Sequence, residues 1–552
     1  MVELSRFRAD LGRGRRARRA DALLSAPDPR KAVRALPGDE FYYVVHEMGF
    51  PDAVEIIQYA TAEQVQTALD FGLWDRDLID PAAAERWLEA LAECAPSAIG
   101  QWLTGIDVEL FALLLRRRTR LYDLSQEEAP DEPEGSLYTT PDRLFTLDVL
   151  GDETEQSVTL QLLDALYRYD KDWARRVLVG TRGELDSELE EQAFRWRSGR
   201  MADLGFEDYY AALEVYREID PGSVEISDRP AARVAPHNEP EGPSYLRLPA
   251  ALVDRLASGS PFARAVAGIQ DADELANLNA ALVVLSNRVL AADRVTPGDD
   301  EAVSAVLTRL SCTLDLAVEF LSRGSPERAT QAVRSVALTR LFQLGVSVIG
   351  KVRKLGRAVL VLGVLPAGGP RATLFRTEDQ EVLEAASALR PMLSRVLEDP
   401  PAPGRRPFAT LADVALATAA IERVGTALAL LRAHGLDPGG ADATWLRAQG
   451  IEDPAQVDTE ILARTALARS LLGLGAPPFG PLSESAYKKL KKTLKDASSS
   501  IENTKELAKG LLAFALRGET VSGRPEVARG VAARWVEGLL SGEPLLCHTI
   551  AP

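Results

Sequence analysis

The chain has 552 residues, 46% of them hydrophobic and 26% charged, and a formal net charge of −17. That length accommodates two to four packed units, and the balance of apolar and charged residues excludes a disordered chain. The acidic excess argues against general nucleic-acid binding, which needs clustered lysine and arginine to displace counterions from phosphates. Three cysteines, Cys94, Cys312 and Cys547, lie hundreds of residues apart, which excludes a disulfide framework and fits a reducing, cytoplasmic setting.

The chain opens on a basic arm. Between Arg6 and Arg34 ten basic residues stand against three acids, a composition suited to an acidic partner or, by preference, to the chain's own acidic surface. Its arginines leave no apolar core for a secretory signal, and no later stretch runs beyond roughly a dozen residues without a charge, so neither export nor a transmembrane segment is expected.

From Leu36 to about Leu124 the pattern is one of consecutive short helices, each announced by its own start signal. Thr61 to Gln64 reads as a capping box, Asp80-Pro81 places a cap before a first-turn proline, and Pro51-Asp52 and Asp107 open neighbouring segments. Apolar residues follow at helical spacing, as in Val54 and Ile57 or Leu110, Leu113 and Leu114. Helices this short are marginal alone and must stack on one another, as in a solenoid. The run LPGDEFYYVVHEMGFPDAVEIIQYATAEQVQTALDF, Leu36 to Phe71, resembles the superhelical N-terminal domain of MgtE-type magnesium transporters. That resemblance implies a right-handed array of stacked helices; the transporter's other modules are missing, so transport and magnesium sensing are not implied. Over its full length, with TTPDRLFTLD at Thr139 to Asp148 and AFRWRSGRMADLGFEDYYAALEVY at Ala193 to Tyr216, the chain also resembles a bacterial family of unknown function.

Residues 125–135 carry five acids and no base and read as a solvated linker. SLYTT and RLFTLDVL, joined at Pro141-Asp142, form the one β-hairpin expected in the chain, which must lie against helices to be stable. Helical patterning resumes from Glu155 to Ile219, a proline-rich segment follows from Asp220 to Pro249, and two further helical blocks flank PPAPGRRPF. The expected domains are therefore residues 1–124 (a superhelical repeat preceded by the arginine-rich arm), 125–220 (acidic linker, hairpin and helices), 250–398 (central helical) and 409–552 (C-terminal helical). The expected fold class is all-α, a multi-helical, solenoid-like array of short helices with one small hairpin.

Motif chemistry is sparse. Gly345 to Lys351 matches the first seven places of a phosphate-binding loop, but Val352 stands where a hydroxyl must hold magnesium, and LTRLFQLGVSVIGKVRKLG is a continuous amphipathic helix. Its two glycines are expected to admit a neighbouring helix. Gly12 and Gly14 lack the preceding strand of a dinucleotide fold. The four histidines are scattered, so no metal site and no cofactor are expected.

The densest polar constellation is Glu190, Glu191, Arg195, Trp196, Arg197, Arg200 and Asp203. Spacing places Leu185, Leu189, Ala193 and Trp196 on one buried stripe and pairs Glu191 with Arg195. The arginines either tie helices together, the favoured reading, or hold an anion. Near the C-terminus seven of the chain's eleven lysines fall between Lys488 and Lys509, beside a three-four seam from Tyr487 to Leu511 that reads as one helix packed within the chain, with a partner helix or anionic lipid as the alternatives. These features lead to a non-catalytic scaffold or adaptor with protein partners. The alternative is an enzyme or small-molecule sensor with an anion site at the arginine cluster.

Overall fold

The structure, a computed structural model, describes residues 23–128, 130–183, 185–203, 209–231, 259–295, 300–363, 374–436, 450–451, 457–518 and 524–547. The arm before Leu23, with Gly12 and Gly14, most of the proline-rich segment, His237 and the tail from His548 lie outside the described residues. Of the described residues 68% are helical, in 22 helices, twice the share of an ordinary globular protein. The described residues of Met1–Val215 and Ala276–Leu307 form one compact unit, and those of Tyr216–Ala232, Asp254–Leu275 and Thr308–Pro552 form another.

The first unit begins with short helices: α1 (Pro29–Arg34), α2 (Gly38–Met48), α3 (Phe50–Ile57), α4 (Ala62–Gly72), α5 (Pro81–Ala92), α6 (Pro96–Leu103) and α7 (Val108–Arg116). Their start signals act as their chemistry dictates. Thr61 and Gln64 exchange both bonds of the capping box, at 3.1 and 2.9 Å, and Asp80 accepts from Ala82 N at 2.9 Å. Gln64 is buried, and its Nε2 also donates to Val33 O and Leu36 O, each at 2.8 Å, satisfying carbonyls at the end of α1. Stacking is largely every-other-helix: α2 packs on α4, α3 on α5 and α4 on α6. Phe41, Tyr42, Trp87, Trp102 and Phe111 fill the core between them.

The array continues with α8 (Glu153–Tyr169) on α6, then α9 (Lys171–Gly183) and α10 (Asp186–Asp203) on α7. Between α7 and α8 lies a three-stranded antiparallel sheet in the order β3-β5-β4, where β3 is Thr119–Asp123, β4 is Ser136–Thr139 and β5 is Phe145–Val149. The expected hairpin is β4 and β5. Its turn is longer than two residues: 140–144 close it, with Thr140 N donating to Phe145 O at 2.9 Å and Leu144 N to Asp142 Oδ1 at 3.2 Å. The third strand corrects the expectation of helix up to Leu124, since α7 ends at Arg116 and Thr119 to Asp123 pair with β5. Every residue of β5 is buried, as a central strand with a helix on one face requires. The acidic linker is exposed but not charge-free at its ends: Arg182 meets Asp123 at 2.9 Å and Glu127 at 3.1 Å, and Arg120 meets Glu134 at 2.8 Å. Two further two-residue ladders, β1 with β2 (Trp74–Asp75, Leu78–Ile79) and β6 with β7 (Leu393–Ser394, Arg405–Arg406), also depart from the single hairpin. No sheet among the described residues exceeds three strands.

Following the short α11 (Tyr209–Ala212), the chain runs through α12 (Pro261–Ala267), α13 (Ala272–Ala292), α14 (Asp300–Ser322), α15 (Pro326–Ser335), α16 (Leu338–Gly363), α17 (Thr377–Ser387), α18 (Leu411–Ala433), α19 (Thr459–Leu471), α20 (Glu484–Ala497), α21 (Ile501–Ala515) and α22 (Pro525–Leu540). Gly345 to Lys351 lies wholly inside α16. A Cβ at Gly345 would sit 2.3 Å from Thr313 O of α14, so this glycine exists for close approach of two helices and not to cradle phosphate. Helix α16 packs on α17 and α18, and α18 on α22.

The lysine-rich seam is two helices, α20 and α21, broken at Ser498 to Ser500. Only Leu490 is buried on α20, and Leu511 and Ala515 on α21; Ile501, read as a seam residue, opens α21 and is 79% exposed. All seven lysines are exposed. Two helices, Ala272–Ala292 and Leu411–Ala433, are long and apolar enough to cross a membrane, with 28% and 44% of their apolar windows buried in the protein. Counting charge-free runs passes over them, because a spanning window tolerates one or two charges.

Where α18 ends, the His434 ring stacks on Phe514 at 4.5 Å and its Nε2 lies 3.3 Å from Ala515 O. Burial holds the imidazole below its ordinary value of 6.5; the bond to Ala515 opposes this, and the nearby Arg517 charge adds to it. The unfolded chain therefore binds this proton more readily than the folded one. His434's contribution to stability is complete above about pH 6.5 and declines as pH falls below it. Urea midpoints measured from pH 8 to 5 should show this decline for the wild type and a flatter profile for His434→Gln; parallel profiles would refute the assignment.

Candidate functional site

Helix α10 carries the polar constellation, and its geometry follows from helical rotation. Each residue advances about 100°, so Asp186, Glu190, Ala193, Arg197 and Arg200 share one side, while Glu191 and Arg195 turn away from it and Trp196 stands at its edge. The shared side is the one that packs. Leu189 and Ala193 are buried at 1% and 2% exposure. Leu185 and Trp196, expected on the buried stripe, are 61% and 57% exposed.

The packed side is ionic. Arg200 grips Asp70 of α4 with two bonds, Nε to Oδ2 at 2.6 Å and Nη2 to Oδ1 at 2.9 Å, and its Nη2 also lies 2.7 Å from Asp107 Oδ2. Gln66 completes the cluster, donating to Asp70 Oδ1 at 3.0 Å and accepting from Asp107 N at 2.9 Å. Arg197 donates from Nε to Asp70 O at 2.7 Å and lies over the rings of Trp74 and Phe194 at 5.5 and 5.9 Å. Glu190 accepts from Ile79 N at 2.9 Å and from Arg117 at 2.8 Å. Asp186 pairs with Arg116.

Asp70 is 1% exposed. Burial pushes its carboxyl above the usual range, against the pull of Arg200, Gln66 and Arg197. Burial acts on Arg200 in the opposite sense, yet its bonds to Asp70 and Asp107 prevail and hold its pKa above that of a free guanidinium. Arg197 and Arg200 donate to the protein's own oxygens, which ties α10 to α4 and to Asp107.

Comparison with known sequences places the molecule at this point: residues 1–541 match a family of unknown function, DUF6178. The chain belongs to that family. No curated protein and no solved structure matches it, so the likeness of Leu36 to Phe71 to MgtE-type transporters rests on its pattern of capped helices alone.

In this DUF6178 chain the other side of α10 is open. Glu188, Glu191, Gln192, Arg195 and Trp196 line a surface hollow of about 370 Å³. Arg195 meets Glu191 at 3.4 Å with both side chains about three-quarters exposed, at 77% and 74%. An exposed pair of this kind contributes little to stability. Asp203 ends the helix, and its side chain lies outside the described residues. The structure therefore divides the other six residues: Glu190, Arg197 and Arg200 pack inward, and Glu191, Arg195 and Trp196 are exposed or line the hollow.

Sequence reasoning missed the partners Asp70, Gln66 and Asp107. Asp107 reads as a helix cap, but its side chain makes no capping bond and turns to Arg200 instead. Asp70 offers a faint signal, a lone acid in an otherwise apolar turn. Elsewhere in the DUF6178 chain, no group of three or more His, Cys, Asp or Glu among the described residues is arranged to hold a metal. Burial pushes the Cys94 thiol up to about 12, with Glu93 adding to the effect, so it stays protonated at neutral pH.

Proposed function

We propose that this member of DUF6178 is a non-catalytic helical scaffold or adaptor that binds protein partners in the cytoplasm, without a membrane crossing. The observation that carries the reading is the exposed surface of α10, where Trp196 stands 57% exposed beside Arg195 on a helix whose packed side is locked in place by Arg197 and Arg200. Tryptophan and arginine are the residues that most often dominate binding energy at protein interfaces, and a rigid backing removes the ordering cost that otherwise weakens association. Stacked short helices add extended surface around it. Against a crossing by α18, the apolar residues Ile421, Val424, Leu428 and Leu431 are buried within the protein, and Glu422 is paired with Arg524.

The engagement of Arg200 with Asp70 and Asp107 weighs against the alternative of an enzyme or sensor with its anion site at this cluster. The test is affinity capture from the native cell with wild type and Trp196→Ala side by side, followed by titration of the purified captured protein. A partner whose affinity falls about tenfold or more in Trp196→Ala supports the reading; equal affinity for both forms of the chain removes this surface from it.

A further inference from the structure

In the second unit α20 carries a face of one charge and one residue type. Lys488, Lys489, Lys491, Lys492 and Lys495 follow one another with no acid between them, and all five are exposed. At about 100° per residue they cover an arc of about 160°, with Lys488, Lys492 and Lys495 along its middle. The other side of the helix is the packed one: Leu490 is 1% exposed, and Ala486, Tyr487, Leu494 and Ala497 are half-buried. Lys488 meets Glu484 at 2.6 Å, and Lys491 lies over the Tyr487 ring at 4.6 Å. The ammonium groups of Lys489, Lys492 and Lys495 meet no acid among the described residues. Across α20 and α21 seven lysines stand against Glu484, Asp496, Glu502 and Glu506, a local positive excess in a chain of net charge −17.

We propose that the lysine face of α20 is a docking surface for an anionic lipid bilayer, holding the protein to a membrane surface without a span. Charge complementarity is the first support, since a cluster of about four to eight basic residues on one helix is drawn to anionic headgroups. The residue type points the same way. Only eleven of the chain's 64 basic residues are lysine, yet these two helices carry seven of the eleven and no arginine. Bidentate recognition of carboxylates and phosphates favours arginine, and lysine is depleted from protein interfaces. A fluid headgroup layer asks only for point charges within reach and leaves the ammonium groups hydrated. With its apolar side already packed, α20 offers no seam to a partner helix. Past the turn at Ser498 to Ser500, Ile501 opens α21 and is 79% exposed, more than any other large hydrophobic residue among those described. Such a side chain suits the boundary between headgroups and acyl chains. This surface shares no residue with that of α10.

Co-sedimentation of the full chain with vesicles tests the proposal, one set made of phosphatidylcholine alone and the other of phosphatidylcholine and phosphatidylserine in equal parts. Saturable binding to the serine-lipid vesicles only is expected, falling about tenfold or more in Lys492→Ala/Lys495→Ala and weakening as added salt screens the charges. Ile501→Ser should weaken it severalfold and leave the salt dependence in place. Alanine is favoured in a helix, so the double variant should melt with wild type; should it not, Lys492→Gln/Lys495→Gln takes its place. Titration with poly-glutamate is the competing arm. Absence of binding to the serine-lipid vesicles, equal binding to both sets, or wild-type binding in the folded double variant overturns the proposal. Saturable binding of poly-glutamate with none to vesicles also overturns it and gives the face to an acidic protein segment.

Discussion

Arg200→Ala is expected to destabilise the first unit by about 3–5 kcal/mol, the cost of leaving a buried carboxylate without its partner. Asp70 is the group left behind. It is almost wholly buried, and with Arg200 gone it retains the Gln66 amide on one oxygen and nothing comparable on the other. Arg195→Ala, one turn and a half away on the exposed side, should change stability by under about 0.5 kcal/mol. Five of the chain's seven tryptophans, Trp74, Trp87, Trp102, Trp173 and Trp196, lie in the first unit, so denaturant titration followed by their fluorescence reports on it. The double variant Asp70→Ala/Arg200→Ala should lose less than the sum of the single losses, because the second change removes the stranded charge. Equal melting of Arg195→Ala and Arg200→Ala would show that the ion cluster does not tie α10 to α4.

Glu460→Ala is expected to cost the second unit about 3 kcal/mol or more by the same physics. Glu460, on the first turn of α19, is 14% exposed and receives Arg376 at 3.0 Å, Arg464 at 3.2 Å and Arg534 at 3.7 Å. Arg464 is itself only 6% exposed. Removing the shared carboxylate leaves these guanidiniums and the nearby Arg423, which burial and Arg534 already disfavour, facing each other with less counter-charge. Glu460→Gln, which keeps the shape and an acceptor, should lose less. Hydrogen exchange over the peptides of α19 and α22 reads the effect in this unit separately from the other; unchanged protection in Glu460→Ala would show that Arg464 is held by Glu543 and Pro544 O alone.

What was legible in the sequence is local chemistry. Thr61, Asp80 and the β-prone runs around Pro141-Asp142 act through neighbours a few residues away, and each does what its residue type implies. Contacts that close over long separations were not legible. Thr119 to Asp123 become a strand only because β5 lies more than twenty residues ahead to pair with them. The site was half legible for a related reason. Apolar periodicity locates a buried side only where burial is apolar, and α10 packs through Asp186, Glu190, Arg197 and Arg200, so the pattern rotated the inferred stripe onto Trp196. The break at Ser498 to Ser500 was hidden because the seam keeps its spacing across it. Close approach at Gly345 was foreseen in kind, since a glycine pair inside an amphipathic helix has few other uses.

The central claim is that α10 has an inward side that holds the fold and an outward side that meets a partner. Partner binding measured on the folded Trp196→Ala variant tests it most directly, with its melting temperature recorded on the same sample. The account predicts wild-type stability together with a loss of about tenfold or more in affinity for the captured protein. A variant that melts well below wild type, or one that binds every captured protein as tightly as wild type does, would contradict it.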